Sequence, residues 1–309
     1  MVMLIKRFTV LIIMLFSMTT IADASSSHGG GHDDAESESI KAKASHDGGG
    51  HNKKAAHDSG GHKKTASHDS GHARKASHAA KRSSGHKVHW SYSGHEGPSQ
   101  WGALSGAYEM CKAGMNQSPI NIGVTSEREM DELNFSYATT GLRVLNNGHT
   151  IQVNRRGESH MSIAGEDYKL LQFHFHSPSE HHLDGNPYPM EAHFVHQNGD
   201  GRLAVVGVFF EMGSENPEVD KVLRNVPEAP DKERAFSKLS INPADLLPSD
   251  HSYVHYNGSL TTPPCSEGVR WFVMESTIKV SKKQVKKFLS MVGKNARPTQ
   301  PMNNRIAKR

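Results

Sequence analysis

The run Gln172-Phe173-His174-Phe175-His176 alternates polar and aromatic side chains, the period of a strand whose two faces meet different surroundings. On such a strand Gln172, His174 and His176 share one face, while Phe173 and Phe175 take the other. A helix would spread the same residues around its circumference. The chain must therefore build a sheet that is apolar on one side here and carries two adjacent imidazoles on the other. A second run, Glu191-Ala192-His193-Phe194-Val195-His196, has the same character. Its parity groups Glu191, His193 and Val195 and leaves Ala192, Phe194 and His196 opposite. His193 shares a face with a carboxylate and an apolar residue, as a supported metal ligand does; His196 points the wrong way.

Three neutral imidazoles, from His174, His176 and His193, would leave a tetrahedral zinc ion one open position, the arrangement of a catalytic rather than a structural site. Gln172 and Glu191 each stand two residues before a histidine and can accept the N–H of a metal-bound imidazole. A lone His-x-His on a strand is weak evidence for metal. Two strands that each place an acceptor two residues before a histidine are much stronger.

The surrounding sequence reads as mainly β. Residues 142–145, the turn Asn146-Asn147-Gly148 and residues 150–153 form a strand, turn and strand. Residues 170–176, 191–196 and 203–210 are further strands, the last so apolar that it belongs in the sheet centre. Helices are few and short. Asn216-Pro217 opens one with a cap and a proline in its first turn, and residues 281–289 are a second candidate.

Ahead of Trp90 the character differs. Residues 1–24 combine Lys6 and Arg7, an apolar run and Ala22-Asp23-Ala24, the pattern of a secretory signal peptide. The run is about ten residues, against the roughly 20 that a spanning helix needs, so no transmembrane anchor is expected after cleavage. Export to a periplasm or the cell exterior favours joining the two cysteines, Cys111 and Cys265. Residues 25–88 hold only Ile40 and Val88 as large aliphatic side chains. They repeat units such as His57-Asp58-Ser59-Gly60-Gly61-His62, followed by Lys63-Lys64. A segment of this composition is expected to be disordered, because it buries too little apolar surface to offset its ordering entropy. Its histidines leave three uses open: a plain spacer, a reservoir for extra divalent metals, or a polycation that charges toward pH 6. Lys and Arg outnumber Asp and Glu by four in residues 25–89, whereas residues 90–309 carry a net charge of −1. The basic pI therefore belongs to the extension and leader, and the folded part has no nucleic-acid footprint. Ser118, Ser259 and Ser266 lack a nucleophile-elbow context, which argues against a serine hydrolase.

From His89 to the C-terminal region the chain resembles the alpha carbonic anhydrases. The matching pieces, in order, are His89-Trp90-Ser91-Tyr92, Trp101-Gly102, Asn116-Gln117-Ser118-Pro119-Ile120-Asn121-Ile122, Leu145-Asn146-Asn147-Gly148-His149 and the two histidine strands. Between and after those strands come Ser179-Glu180-His181, the run 203–210, Gly258-Ser259-Leu260-Thr261-Thr262-Pro263-Pro264 and Arg297-Pro298. The resemblance implies a single domain, residues 89–309, on a large twisted, mostly antiparallel sheet with a few short surface helices. It implies reversible hydration of carbon dioxide to bicarbonate and a proton, by attack of zinc-bound hydroxide at a zinc held by His174, His176 and His193. Thr261 would hold that hydroxide and be oriented by Glu180. Val195, Val205, Leu260, Val269 and Trp271, with Thr262, would receive carbon dioxide. Cys111 and Cys265 match the disulfide pair of exported members.

His149 matches the family's proton shuttle, in a polar cavity with Tyr92, Asn147 and Gln152; by itself it reads as an exposed histidine after a turn. A relay is chemically required. Proton release from an acid of pKa about 7 directly to water is limited to roughly 10³ s⁻¹ when recombination runs near 10¹⁰ M⁻¹s⁻¹, whereas the chemistry can reach about 10⁶ s⁻¹. His181, His182 and His196 read as structural hydrogen-bonding histidines. The competing class is a catalytically silent domain of this fold on a metal-sequestering arm. Such a domain would be expected to lose a zinc-binding histidine, and none is lost here. Oligomeric state, a homodimer included, is left open by the sequence.

Overall fold

The computed structural model of the protein describes residues 88–154 and 156–309. The expected signal peptide and the histidine-rich extension, up to residue 87, lie outside the described residues.

Alternating and continuous apolar runs dictate strands, and strands prevail. The main sheet places eight of them in the spatial order Lys232–Ile241, Thr140–Asn146, Ile151–Asn154, Glu166–His176, Met190–Asn198, Leu203–Met212, Glu267–Met274 and Tyr253–Ser259. Neighbours along this path are antiparallel, except that Leu203–Met212 runs parallel to Glu267–Met274. The mainly β, mostly antiparallel expectation is thus met. The run 203–210, expected at the centre, lies between the second histidine strand and Glu267–Met274, with its residues from Ala204 to Phe210 buried.

Two apolar clusters cover the two faces. Phe173, Phe175, Phe194, Leu142 and Val144 belong to the larger one, where the helices Pro217–Leu223 and Lys282–Val292 add Val219, Val222, Val285 and Phe288. Asn216 caps the first of these helices by accepting from the backbone N–H groups of Glu218 and Val219, and Ser281 forms a capping box with Gln284 on the second. The smaller cluster, with Val205, Phe209, Val269 and Trp271, lies on the histidine face.

One irregularity matters for the site. The pairing of Glu166–His176 with Met190–Asn198 shifts register between Leu170 and Gln172, leaving Leu171 40% exposed. A regular strand over 170–176 would put Leu170 on the imidazole face. The bulge reverses parity, so Tyr168 and Leu170 join Phe173 and Phe175 in the larger core while Gln172, His174 and His176 face the other way.

Candidate active site

Register brings the histidines together. His174 pairs directly with His193 across the two strands, and His176 with Glu191. The ring centres of His176 and His193 are 4.5 Å apart, and His174 lies 5.0 and 5.4 Å from them. One nitrogen from each can lie within 4.8 Å of the others. The opposite nitrogens are engaged. His174 Nδ1 donates to Gln172 Oε1 at 2.9 Å, His176 Nδ1 to the Asn295 carbonyl at 2.7 Å, and His193 Nε2 to Glu191 Oε1 at 2.9 Å. Each acceptor fixes a tautomer and so leaves a bare lone pair on the remaining nitrogen. His176 Nε2 is buried with no hydrogen-bond partner. An orphaned acceptor of this kind costs about 1–3 kcal/mol unless something electron-poor meets it. The donor set and that orphan both fit a single zinc ion, which His174 and His176 would hold through Nε2 and His193 through Nδ1.

Electrostatics separate the three imidazoles. Burial, then the neighbouring His176 and His193, hold His174 well toward the neutral form, and burial likewise lowers His176. His193 is also opposed by burial, but the Glu191 charge and hydrogen bond outweigh it and raise its pKa. Glu191 is fully buried; desolvation would raise it, yet His181 and His193 hold it well below the usual carboxylate range. Its Oε2 accepts from the backbone N–H groups of Glu180 and His181 at 2.8 and 2.9 Å. His181 Nδ1 donates to Oε1 at 2.7 Å, and the other ring nitrogen of His181 meets the Tyr256 hydroxyl at 2.6 Å. His181, Glu191 and His193 also lie close enough together to hold an ion. Their hydrogen bonds already use the atoms that would have to ligate it, so His181 is structural, as expected.

Of the other expected residues, one group lines a cavity and the other packs in an apolar cluster beside His193. Tyr92, Asn147, His149, Gln152, Thr262 and Gln172 line one cavity of about 130 Å³ with His174 and His176. Its turn is built by asparagine side chains: Asn146 Oδ1 accepts from Gly148 N–H, and Asn147 Oδ1 from the N–H groups of His149 and Thr150. Gly148 has φ +80°, which suits glycine. Val205, Val269 and Trp271 pack in the smaller cluster with Val195 and Leu260 against them, and the Trp271 ring lies 4.8 Å from His193. Cys111 and Cys265 are joined. Thr261 is buried, but the expected Thr261–Glu180 hydrogen bond is not made. Glu180 Oε1 accepts from Arg297 N–H at 2.8 Å, while Oε2, 3.8 Å from His193 Nδ1, has no hydrogen-bond partner.

Three contributors had no role in the sequence reading. Trp90 stacks on His149, with ring centres 3.7 Å apart and planes 8° from parallel. Asn295 supports His176 through its carbonyl, while its side-chain amide donates to the His149 and Phe175 carbonyls. Arg297, buried, reaches the Cys111 and Ser118 carbonyls and Gln117. Trp90 and Arg297 lie in matched motifs. Asn295 supports the His176 ring through its backbone carbonyl, and that contact leaves no side-chain signal.

A twisted sheet presenting three individually supported imidazoles to one point, His176 and His193 buried and His174 half-buried at the cavity, defines a β protein with a single-metal cradle. Residues 96–308 match the family described as eukaryotic-type carbonic anhydrase, and the chain belongs to that family of enzymes. A carbonic anhydrase of Pectobacterium carotovorum is 41% identical over 221 residues, covering 71% of this chain and 90% of that protein. One of Klebsiella pneumoniae is 43% identical over 222 residues, covering 71% and 89%. The solved alpha carbonic anhydrase of Thermovibrio ammonificans, in complex with the inhibitor sulfanilamide, superimposes with a TM-score of 0.70 at 46% identity, covering 72% of this chain and 99% of that one.

Proposed function

We propose that the protein catalyses the reversible hydration of carbon dioxide to bicarbonate and a proton, with zinc held by His174, His176 and His193. The observation that carries this is the buried, partnerless Nε2 of His176 beside two further imidazoles whose opposite N–H groups are all engaged. When bound, zinc supplies a Lewis acid that brings the pKa of water from 15.7 to about 7.

The chain's own residues do the rest. Gln172, Glu191 and the Asn295 carbonyl hold the three rings in the ligating tautomer. Glu180 Oε2, a buried acceptor without a hydrogen-bond partner, would take the Thr261 hydroxyl proton once that side chain turns toward it, leaving Thr261 to accept from the attacking oxygen and orient it. Val195, Val205, Leu260, Val269 and Trp271 offer carbon dioxide an apolar surface, which suits a substrate with no hydrogen to donate. Each hydration leaves one proton, which His149 carries from the cavity to buffer; Tyr92, Asn147 and Gln152 hold the intervening water. Tyr92 stays protonated, because burial and then the Glu180 charge raise its pKa well above the ordinary value. The disulfide supports an oxidising compartment, periplasmic or extracellular. No helix among the described residues is long and apolar enough to cross a membrane.

Stopped-flow carbon dioxide hydration by the purified chain, with and without a zinc chelator, tests the proposal. A rate that the chelator abolishes and zinc restores is expected; no zinc-dependent rate overturns it. For residues 25–88, a divalent-metal reservoir predicts more than one bound metal per full chain, falling to one when that segment is deleted. Equal stoichiometry refutes the reservoir.

A further inference from the structure

Gly207 occupies the middle of the Leu203–Met212 strand, buried between two other strands, directly opposite His193 on one side and Val273 on the other. Glycine at such a position weakens a strand, since it fixes the most backbone freedom and packs nothing. Its φ lies outside the left-handed region, so the backbone does not require it. The reason lies in what a side chain would strike. A Cβ on Gly207 would stand 2.9 Å from Glu191 Oε1, closer than real Cβ atoms approach, while the nearest Val273 carbons are at ordinary contact distances of 3.6 and 3.7 Å. Glu191 cannot step aside cheaply. Its two oxygens accept from His193 Nε2, His181 Nδ1 and the backbone N–H groups of Glu180 and His181, all in a fully buried setting.

From this geometry we infer that Gly207 is a positioning residue for the metal centre: its missing side chain is the space in which the Glu191 carboxylate holds His193. Adding one methyl group there pushes Oε1 off its two imidazole donors. His193 then loses the acceptor that fixes its tautomer and aims its Nδ1. This rests on the zinc reading of the site. Loss of such an outer support typically weakens metal binding by about 10- to 100-fold.

The test compares zinc release from the full chain, G207A, E191A and G207A/E191A, each loaded with zinc and challenged with excess chelator. Cobalt(II) spectra of the same four proteins report ligand geometry. G207A is expected to release zinc about tenfold faster than the parent and to shift the cobalt spectrum. In the E191A background, where the carboxylate is gone, G207A is expected to change neither. Unchanged release by G207A in a parent that binds zinc overturns the inference and leaves the zinc reading standing. An equal effect of G207A in both backgrounds also overturns it, because the methyl group would then act on packing in general. If G207A does not fold, recovery of folding in G207A/E191A supports the inference, and failure of the double variant where E191A folds overturns it. A parent chain that binds no zinc fails the zinc reading itself, and the inference with it.

Discussion

His193 and His196 lie three residues apart on one strand, both essentially excluded from solvent, yet their environments push them in opposite directions. His193 faces Glu191 and Trp271, and the carboxylate raises its pKa against burial. His196 faces the larger core, where burial pushes its pKa down to about 4. It is satisfied as a neutral ring, one nitrogen accepting from the Tyr137 hydroxyl at 2.7 Å and Nδ1 donating to the Ala204 carbonyl at 3.3 Å. Burial alone therefore does not decide what a histidine does. The face it takes, and whether an anion waits there, decide it.

The sharpest way to break the contrast is to remove each ring in turn. His193→Ala is expected to abolish zinc binding and reduce hydration to background, read by metal analysis and stopped-flow rates. His196→Ala should keep the zinc and instead lower stability by about 2–4 kcal/mol, by opening a cavity and orphaning two polar groups; denaturant unfolding measures it. Loss of zinc from that variant would mean that the two faces are coupled.

Acid separates the same pair. The His196 pKa is depressed on folding, so the unfolded chain binds the extra proton first as pH falls. Its stability contribution is intact above about pH 6.5, declines as pH drops toward 4 and levels off below. With about 1.4 kcal/mol per pKa unit, the decline is roughly 3 kcal/mol. His196→Gln should lose that portion of the slope in denaturant unfolding at pH 7 and pH 4.5; an unchanged slope would assign the acid sensitivity to other groups.

For His149, which lines the cavity, and Gln172, which supports His174, the expected effects are smaller. His149→Ala should reduce turnover in weak buffer by about 10- to 100-fold, recover partly with added imidazole, and leave kcat/KM nearly unchanged. Unaltered turnover in weak buffer would remove His149 from the proton path. The smallest effect belongs to Gln172→Ala. It is expected to weaken zinc affinity by about tenfold through the loss of the His174 Nδ1 acceptor, as read by chelator competition.

Much of this was legible in the residues. Period-two alternation in two short runs assigned His174, His176 and His193 to one face and His196 to the other, because side-chain direction on a strand is a local property. The same counting named Gln172 and Glu191 as acceptors, and Asn216-Pro217 marked a helix start through local capping chemistry. Tertiary structure decided what depends on distant chain segments. Only the bulge beside Leu171 keeps the larger core and the imidazole face in phase. Only the folded chain brings the Asn295 carbonyl to His176, 119 residues away, and the Trp90 ring onto His149. Only cross-strand packing shows why Gly207 has no side chain. Period and parity follow from bonds between neighbours in sequence, whereas a shared hydrogen bond or a reserved volume exists only once the sheet has closed around it.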